Sequence, residues 1–191
     1  MRLRSFVAFA LLFASVARAE SLEAMLRKGE VTLLETYPDG RLKQATAIGL
    51  VQAPIEVVWA QLTDFQAYPQ WMPKVESVQV TVLSPTVSDV SWSLGIAGPN
   101  VQYTGRYTLD KANWAIRGVW VGGELKGSRW DWRLESAGAA TIVYREVYSN
   151  VVGSNWLIEQ VEDSEHTLEY GINSASGVIE IQGLKRALAA R

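Results

Sequence analysis

The chain holds few side chains that could do chemistry. Its single histidine is His166 and it has no cysteine, so a His/Cys cluster of the zinc kind cannot form and no metal site is expected. A Ser-His-Asp triad would have to use His166, and no motif positions a serine for it. Gly122-Gly123 lacks the strand–loop–helix setting of a phosphate loop. No cofactor is implied. One carboxylate stands out, Glu146. In a regular strand from Thr141 to Ser149 it shares a face with Ile142, Tyr144 and Tyr148. A carboxylate on an apolar cavity wall has a raised pKa and can act as acid or base.

The aromatics are the other distinctive set. The chain carries eight Trp and seven Tyr, and only Phe65 among its phenylalanines lies beyond Phe13. Rings with a polar handle suit a half-wet interior or a cavity wall. Their placement follows from period-two alternation. From Ser128 to Glu135 one face carries Arg129, Asp131, Arg133 and Glu135, and the other carries Trp130, Trp132 and Leu134. Burying the charged face would cost far more than exposing it, so the tryptophans point inward. The same reasoning turns Trp92 inward against Ser91 and Ser93, and Tyr103 and Tyr107 inward against Gln102 and Arg106. Trp120 alternates with Ile116 and Gly118, and Trp71 stands at a proline corner. The expected cavity set is Trp71, Trp92, Tyr103, Tyr107, Trp120, Trp130, Trp132 and Tyr144, with Ile172 from the last helix.

These side chains need a frame. Ser21 caps a short helix to Lys28. Two strands, Glu30–Tyr37 and Leu42–Gln52, flank the turn Pro38-Asp39-Gly40. From Ala53 to Pro73 come two short helices: Pro54 suits a first turn, and Asp64 can cap the second helix. Short strands then follow one another to Ser149, and their spacing demands antiparallel neighbours. From about Trp156 to Ala190 the pattern is helical, with an apolar stripe of Leu168, Ile172, Ala175, Ile179, Leu184 and Leu188. Gly171, Gly177 and Gly183 each cost that helix about 1 kcal/mol relative to Ala. They mark either a close approach to the sheet or a bent helix.

The stretch Ala53-Pro54, Trp59 and Asp64-Phe65-Gln66-Ala67-Tyr68-Pro69-Gln70-Trp71-Met72-Pro73 resembles the START-like, or helix-grip, superfamily, which includes polyketide cyclases and dehydrases and the coenzyme Q-binding proteins. The likeness spans roughly Gly29 to the C-terminus. It implies an α+β helix-grip fold: a curved antiparallel sheet wrapped around a long C-terminal helix, with two short helices after the first strands. It further implies a cavity between sheet and helix that binds a hydrophobic small molecule such as a lipid, quinone or polyketide. Two readings compete with binding. One is a cyclase or dehydrase using Glu146 and a cavity tyrosine for proton transfer. The other is a structural partner of an envelope complex, its cavity filled by side chains.

Residues 1–19 read as a signal peptide. Arg2 and Arg4 precede the apolar run Phe6–Val16, and Ala17-Arg18-Ala19 is a small-x-small cleavage site. Residues 20–191 then form a single domain, periplasmic or secreted and expected to be a monomer. Without cysteine it has neither a lipoprotein anchor nor a disulfide framework, and no stable membrane anchor remains after cleavage. The mature chain would keep 15 basic and 20 acidic residues, a net of −5. With no basic patch, nucleic acid is not an expected partner.

Overall fold

The computed structural model describes residues 21–95, 100–150 and 167–190. The leader expected over residues 1–19, and the Trp156–His166 part of the expected last helix, lie outside the described residues.

A five-residue helix α1 (Leu22–Leu26) leads into a hairpin of β1 (Val31–Thr36) and β2 (Leu42–Val51). Ser21 caps α1, its side chain accepting from the Ala24 N–H at 3.3 Å. The hairpin turn relies on Gly40, whose φ of 86° suits a residue without Cβ. The helix pair follows as α2 (Ile55–Thr63) and α3 (Tyr68–Trp71), joined by a 3₁₀ turn over Phe65–Ala67. Asp64 stands at the junction, but its side chain makes no capping bond. The corner is closed instead by the Tyr68 hydroxyl, which donates to the Leu62 carbonyl at 2.8 Å.

Six strands then meander: β3 (Val75–Ser84), β4 (Val87–Leu94), β5 (Val101–Asp110), β6 (Ala115–Gly123), β7 (Arg129–Ala137) and β8 (Ala140–Tyr148). The sheet order is β1-β2-β8-β7-β6-β5-β4-β3, antiparallel throughout. The helix pair carries the chain from β2 to the opposite edge, and the meander returns until β8 lies beside β2. The final helix α4 (Thr167–Ala189) packs across β2 and β8 and touches β1 and α3. This curved antiparallel sheet gripping one long helix is the arrangement the resemblance implies.

Two glycines decide how closely α4 approaches. A Cβ on Gly177 would sit 2.8 Å from the Ala47 Cβ, and one on Gly183 would sit 3.0 Å from the Trp71 carbonyl oxygen. Gly171 has nothing within 4 Å, so only the second and third glycines serve contact. The buried face of α4 differs from the expected stripe. It runs through Glu169, Asn173, Gly177, Ile181 and Leu184, while Ala175 and Ile179 are exposed. The polar members are held by bonds that periodicity does not show. Asn173 Oδ1 accepts from the Ser149 N–H at 2.6 Å, and its amide donates to the Ser149 carbonyl at 3.2 Å. Glu169 accepts from the Leu42 N–H at 3.3 Å.

The concave side of the sheet holds the main core, from Val58 and Leu62 of α2 through Trp92, Tyr107 and Trp132 to Ile181 and Leu184 of α4. A second, smaller cluster lies on the other face, where Leu26 of α1 covers Ile48, Leu50, Ala140 and Ile142.

Candidate functional site

The phase of β8 sets the chemistry of the interior. Thr141, Val143, Arg145 and Val147 are buried on the concave side, and Tyr144, Glu146 and Tyr148 are half-buried on the convex one. Glu146 does share a face with Ile142, Tyr144 and Tyr148, but it is the outer face. There it pairs in register with Thr46 and Asp131. Tyr144 donates to Glu135 at 3.1 Å and carries the Arg133 guanidinium 3.6 Å above its ring. Glu146 and Tyr144 are therefore corrected to surface positions outside the cavity. Near Ile142 both faces of β8 are covered, one by α4 and one by α1, so alternation there carries no phase information.

The cation buried on this side of the sheet is Arg145, 5% exposed. Its Nε donates to Oε2 of Glu180 on α4, its Nη1 donates to the Asp131 carbonyl at 3.4 Å, and its guanidinium lies 4.6 Å from the Trp132 ring centroid. Burial alone would lower the Arg145 pKa. The charge and hydrogen bond of Glu180 outweigh it and hold the pKa above the ordinary value. Sheet and helix are thus joined by one buried ion pair.

That pair borders a cavity of about 180 Å³ between α4, the α3–β3 corner and the concave sheet. Its walls include Tyr68, Trp92, Tyr103, Tyr107 and Trp132, with Met72, Val75 and Leu94 toward the corner and Ser176 and Ile179 from α4. Trp92 and Tyr103 are nearly parallel, 22° apart with centroids at 6.4 Å, and Tyr107 meets Trp92 edge-on at 5.9 Å. The Tyr107 ring occupies space that glycine leaves open. A Cβ on Gly118 would lie 2.6 Å from Tyr107 Cε1, and one on Gly105 would lie 2.9 Å from Tyr107 Cε2. Burial raises the pKa of Tyr68, Tyr103 and Tyr107, and Arg145 only partly offsets this. All three stay neutral phenols. Trp92 lies beside Tyr107 closely enough for its indole to influence that hydroxyl. Its Nε1–H nevertheless finds no acceptor in hydrogen-bond geometry among the described residues. At the mouth, Lys74 is exposed with a left-handed φ of 67°, and Ile179 is 44% exposed.

Of the aromatics expected to line a cavity, Trp92, Tyr103, Tyr107 and Trp132 stand on its wall. The others sit elsewhere. Trp130 is one layer back, stacked on Tyr103 at 4.7 Å and donating to Ser149 Oγ at 2.9 Å. Trp71 packs against Tyr68 at 4.6 Å. Trp120 is half-buried at the end of β6, its indole N–H shared between the Gly123 and Glu124 carbonyls. Ile172 lies one turn before Ser176, outside the lining. Arg145, Glu180 and Tyr68 were not anticipated. A charged residue on a strand reads as solvent-facing until its partner, 35 positions away, is known. Among the described residues no group of three or more His, Cys, Asp or Glu could hold a metal ion, and no helix is long and apolar enough to cross a membrane.

Residues 51–180 match the model of a family described as polyketide cyclase / dehydrase and lipid transport. No curated protein matches the chain in sequence. Solved structures match it in shape. The STAR-related lipid transfer protein of Xanthomonas axonopodis (fragment 25–204) aligns with a TM-score of 0.66 at 17% identity, covering 85% of this chain and 94% of that one. Human StAR-related lipid transfer protein 5 gives 0.64 at 12% identity, with coverage of 85% and 83%. The Zhui aromatase/cyclase of Streptomyces sp. R1128 gives 0.56 at 17% identity, with coverage of 78% and 97%. At such identities the likeness is one of fold.

Proposed function

The chain belongs to the polyketide cyclase/dehydrase and lipid transport family, and on that premise we propose that it is an exported, monomeric domain that binds a hydrophobic small molecule between sheet and α4. The observation that carries this reading is the aromatic cavity bounded by Trp92, Tyr103, Tyr107 and Trp132. Concave, mostly apolar sites with a few convergent polar groups are where small molecules bind. Here the polar groups are the Arg145–Glu180 pair and neutral tyrosines, which can orient an oxygen-bearing ligand. Proton transfer between Glu146 and a cavity tyrosine does not fit, because Glu146 stands on the opposite face of the sheet. Lipids, quinones and polyketides remain the ligand classes, and the leader over residues 1–19 supports export.

Native mass spectrometry of the protein purified from its own host tests the reading. An apolar compound should co-purify, and the stripped protein should show saturable tryptophan quenching with a quinone or a fatty acid. No bound compound, and no quenching with any apolar ligand, would overturn the binding reading and favour a structural partner instead.

A further inference from the structure

The binding reading leaves open which residue decides the shape of ligand that the cavity accepts. We propose that Gly105 is that specificity-determining residue: it lets Tyr107 lie back against the sheet and so keeps the cavity floor wide enough for a ring. This rests on the binding reading above.

A glycine inside a strand weakens it, so its presence there calls for a local reason. Gly105 stands mid-strand in β5, on the same buried face as Tyr103 and Tyr107. Two common reasons are absent. Its φ is not positive, so the backbone conformation does not demand glycine. Nor does a neighbouring backbone press on it. The three atoms nearest to a Cβ built there all belong to Tyr107: Cε2 at 2.9 Å, Cζ at 3.2 Å and Oη at 3.2 Å. Gly118 differs, because a Cβ there would also meet the Trp130 carbonyl oxygen at 2.7 Å. What Gly105 leaves room for is the far end of the Tyr107 ring.

A methyl at position 105 would push that end of the ring off the sheet. Phe65 already meets the ring at 5.0 Å and Trp92 at 5.9 Å. The space left for it is the cavity that Tyr107 itself lines. That cavity opens at its mouth, so its volume sets no limit on the length of a ligand. The floor limits the width of the group that reaches it. An alkyl chain is narrow, whereas a planar ring is wide in its own plane, and the nearly parallel Trp92 and Tyr103 suit stacking on it. A raised Tyr107 therefore costs a ring more than a chain.

Calorimetric titration of the parent and of Gly105→Ala with menadione, an uncharged quinone ring, and with 1-decanol, an uncharged chain, tests this. The variant should keep the parent's far-UV circular dichroism. Its affinity for menadione should fall about tenfold, the effect of modest overpacking, and its affinity for decanol by less than about threefold. In a Tyr107→Leu background the same change at 105 should alter neither affinity by more than about twofold, because the ring it displaces is gone. Equal losses for the two probes, or an undiminished effect in the Tyr107→Leu background, would overturn the inference and leave the binding reading standing. If either variant does not fold, the parent decides: the ring protons of bound menadione should show nuclear Overhauser contacts to the Tyr107 ring, and their absence would overturn the inference. A parent that does not bind menadione would overturn it as well. A parent that binds neither probe, with no co-purifying compound, would overturn the binding reading too.

Discussion

Replacing Glu180 by leucine leaves Arg145 buried without its counter-charge. The Arg145 side chain is 6% exposed and that of Glu180 is 19% exposed, so water reaches the pair mainly from the helix side. Removing one partner of a buried pair typically costs about 3–5 kcal/mol. Two interactions of the guanidinium survive, the Asp131 carbonyl at 3.4 Å and the Trp132 face at 4.6 Å, which puts the expected loss near the lower end, about 3 kcal/mol. For a domain of this size, that lowers the thermal midpoint by about 6–12 °C. The companion variant carries Glu180→Leu with Arg145→Met. It removes both charges and puts a thioether against Trp132, and an apolar replacement of a buried pair is often neutral or stabilising. It should recover to within about 1 kcal/mol of the parent. Urea denaturation followed by far-UV circular dichroism measures all three proteins. A single variant as stable as the parent, or a double variant no better than the single, would refute the claim that an uncompensated buried cation causes the loss.

Two glycines of α4 should respond with opposite signs. Gly171→Ala, with open space around it, should stabilise by about 0.5–1 kcal/mol in chemical denaturation. Gly183→Ala, pressed against Pro73 and the Trp71 carbonyl, should destabilise by about 1–3 kcal/mol in the same assay. On the convex face, burial raises the Asp131 carboxyl above its ordinary value, against the pull of the Gly118 N–H and of Arg145. A raised carboxyl disfavours the fold as pH rises through its unfolded and then its folded value. Asp131→Asn keeps an acceptor for Gly118, so it should match the parent at pH 3 and exceed it in thermal stability at pH 7. Export predicts an intact mass that begins at Glu20, and a periplasmic form still carrying Met1–Ala19 would contradict it.

Most of the frame could be read from the chain because alternation is a local signal. The β7 run places Trp130 and Trp132 on the inner face, and the structure keeps them there, buried. The proline-flanked helix pair likewise announces itself by residue type. What stayed hidden depends on partners distant in sequence. Asn173 is fully buried because Ser149 meets it, and no periodicity rule would put an amide on the contact face of α4. Arg145 points inward because Glu180 awaits it. Ile179, which helical spacing assigned to the buried stripe, ends at the cavity mouth because Gly177 and Gly183 turn a neighbouring face toward the sheet. The glycines were visible, but which of them touched anything was not.

The strand order has a consequence for how the molecule is made. β2 lies between β1 and β8, with Ala45 opposite Val147. A hairpin of two strands is marginal on its own in water, so the first strands synthesised wait for a neighbour about 100 residues downstream. At the usual pace of about 5–20 residues per second, the delay is about 5–20 s. During that time the inner edge of β2 is unpaired, and the small residues Ala47 and Gly49 have neither β8 nor α4 against them. The last strand completes the first sheet pairing, and the helix after it locks both. The β3–β7 meander pairs without β8, so the first hairpin is the part of the sheet that joins last.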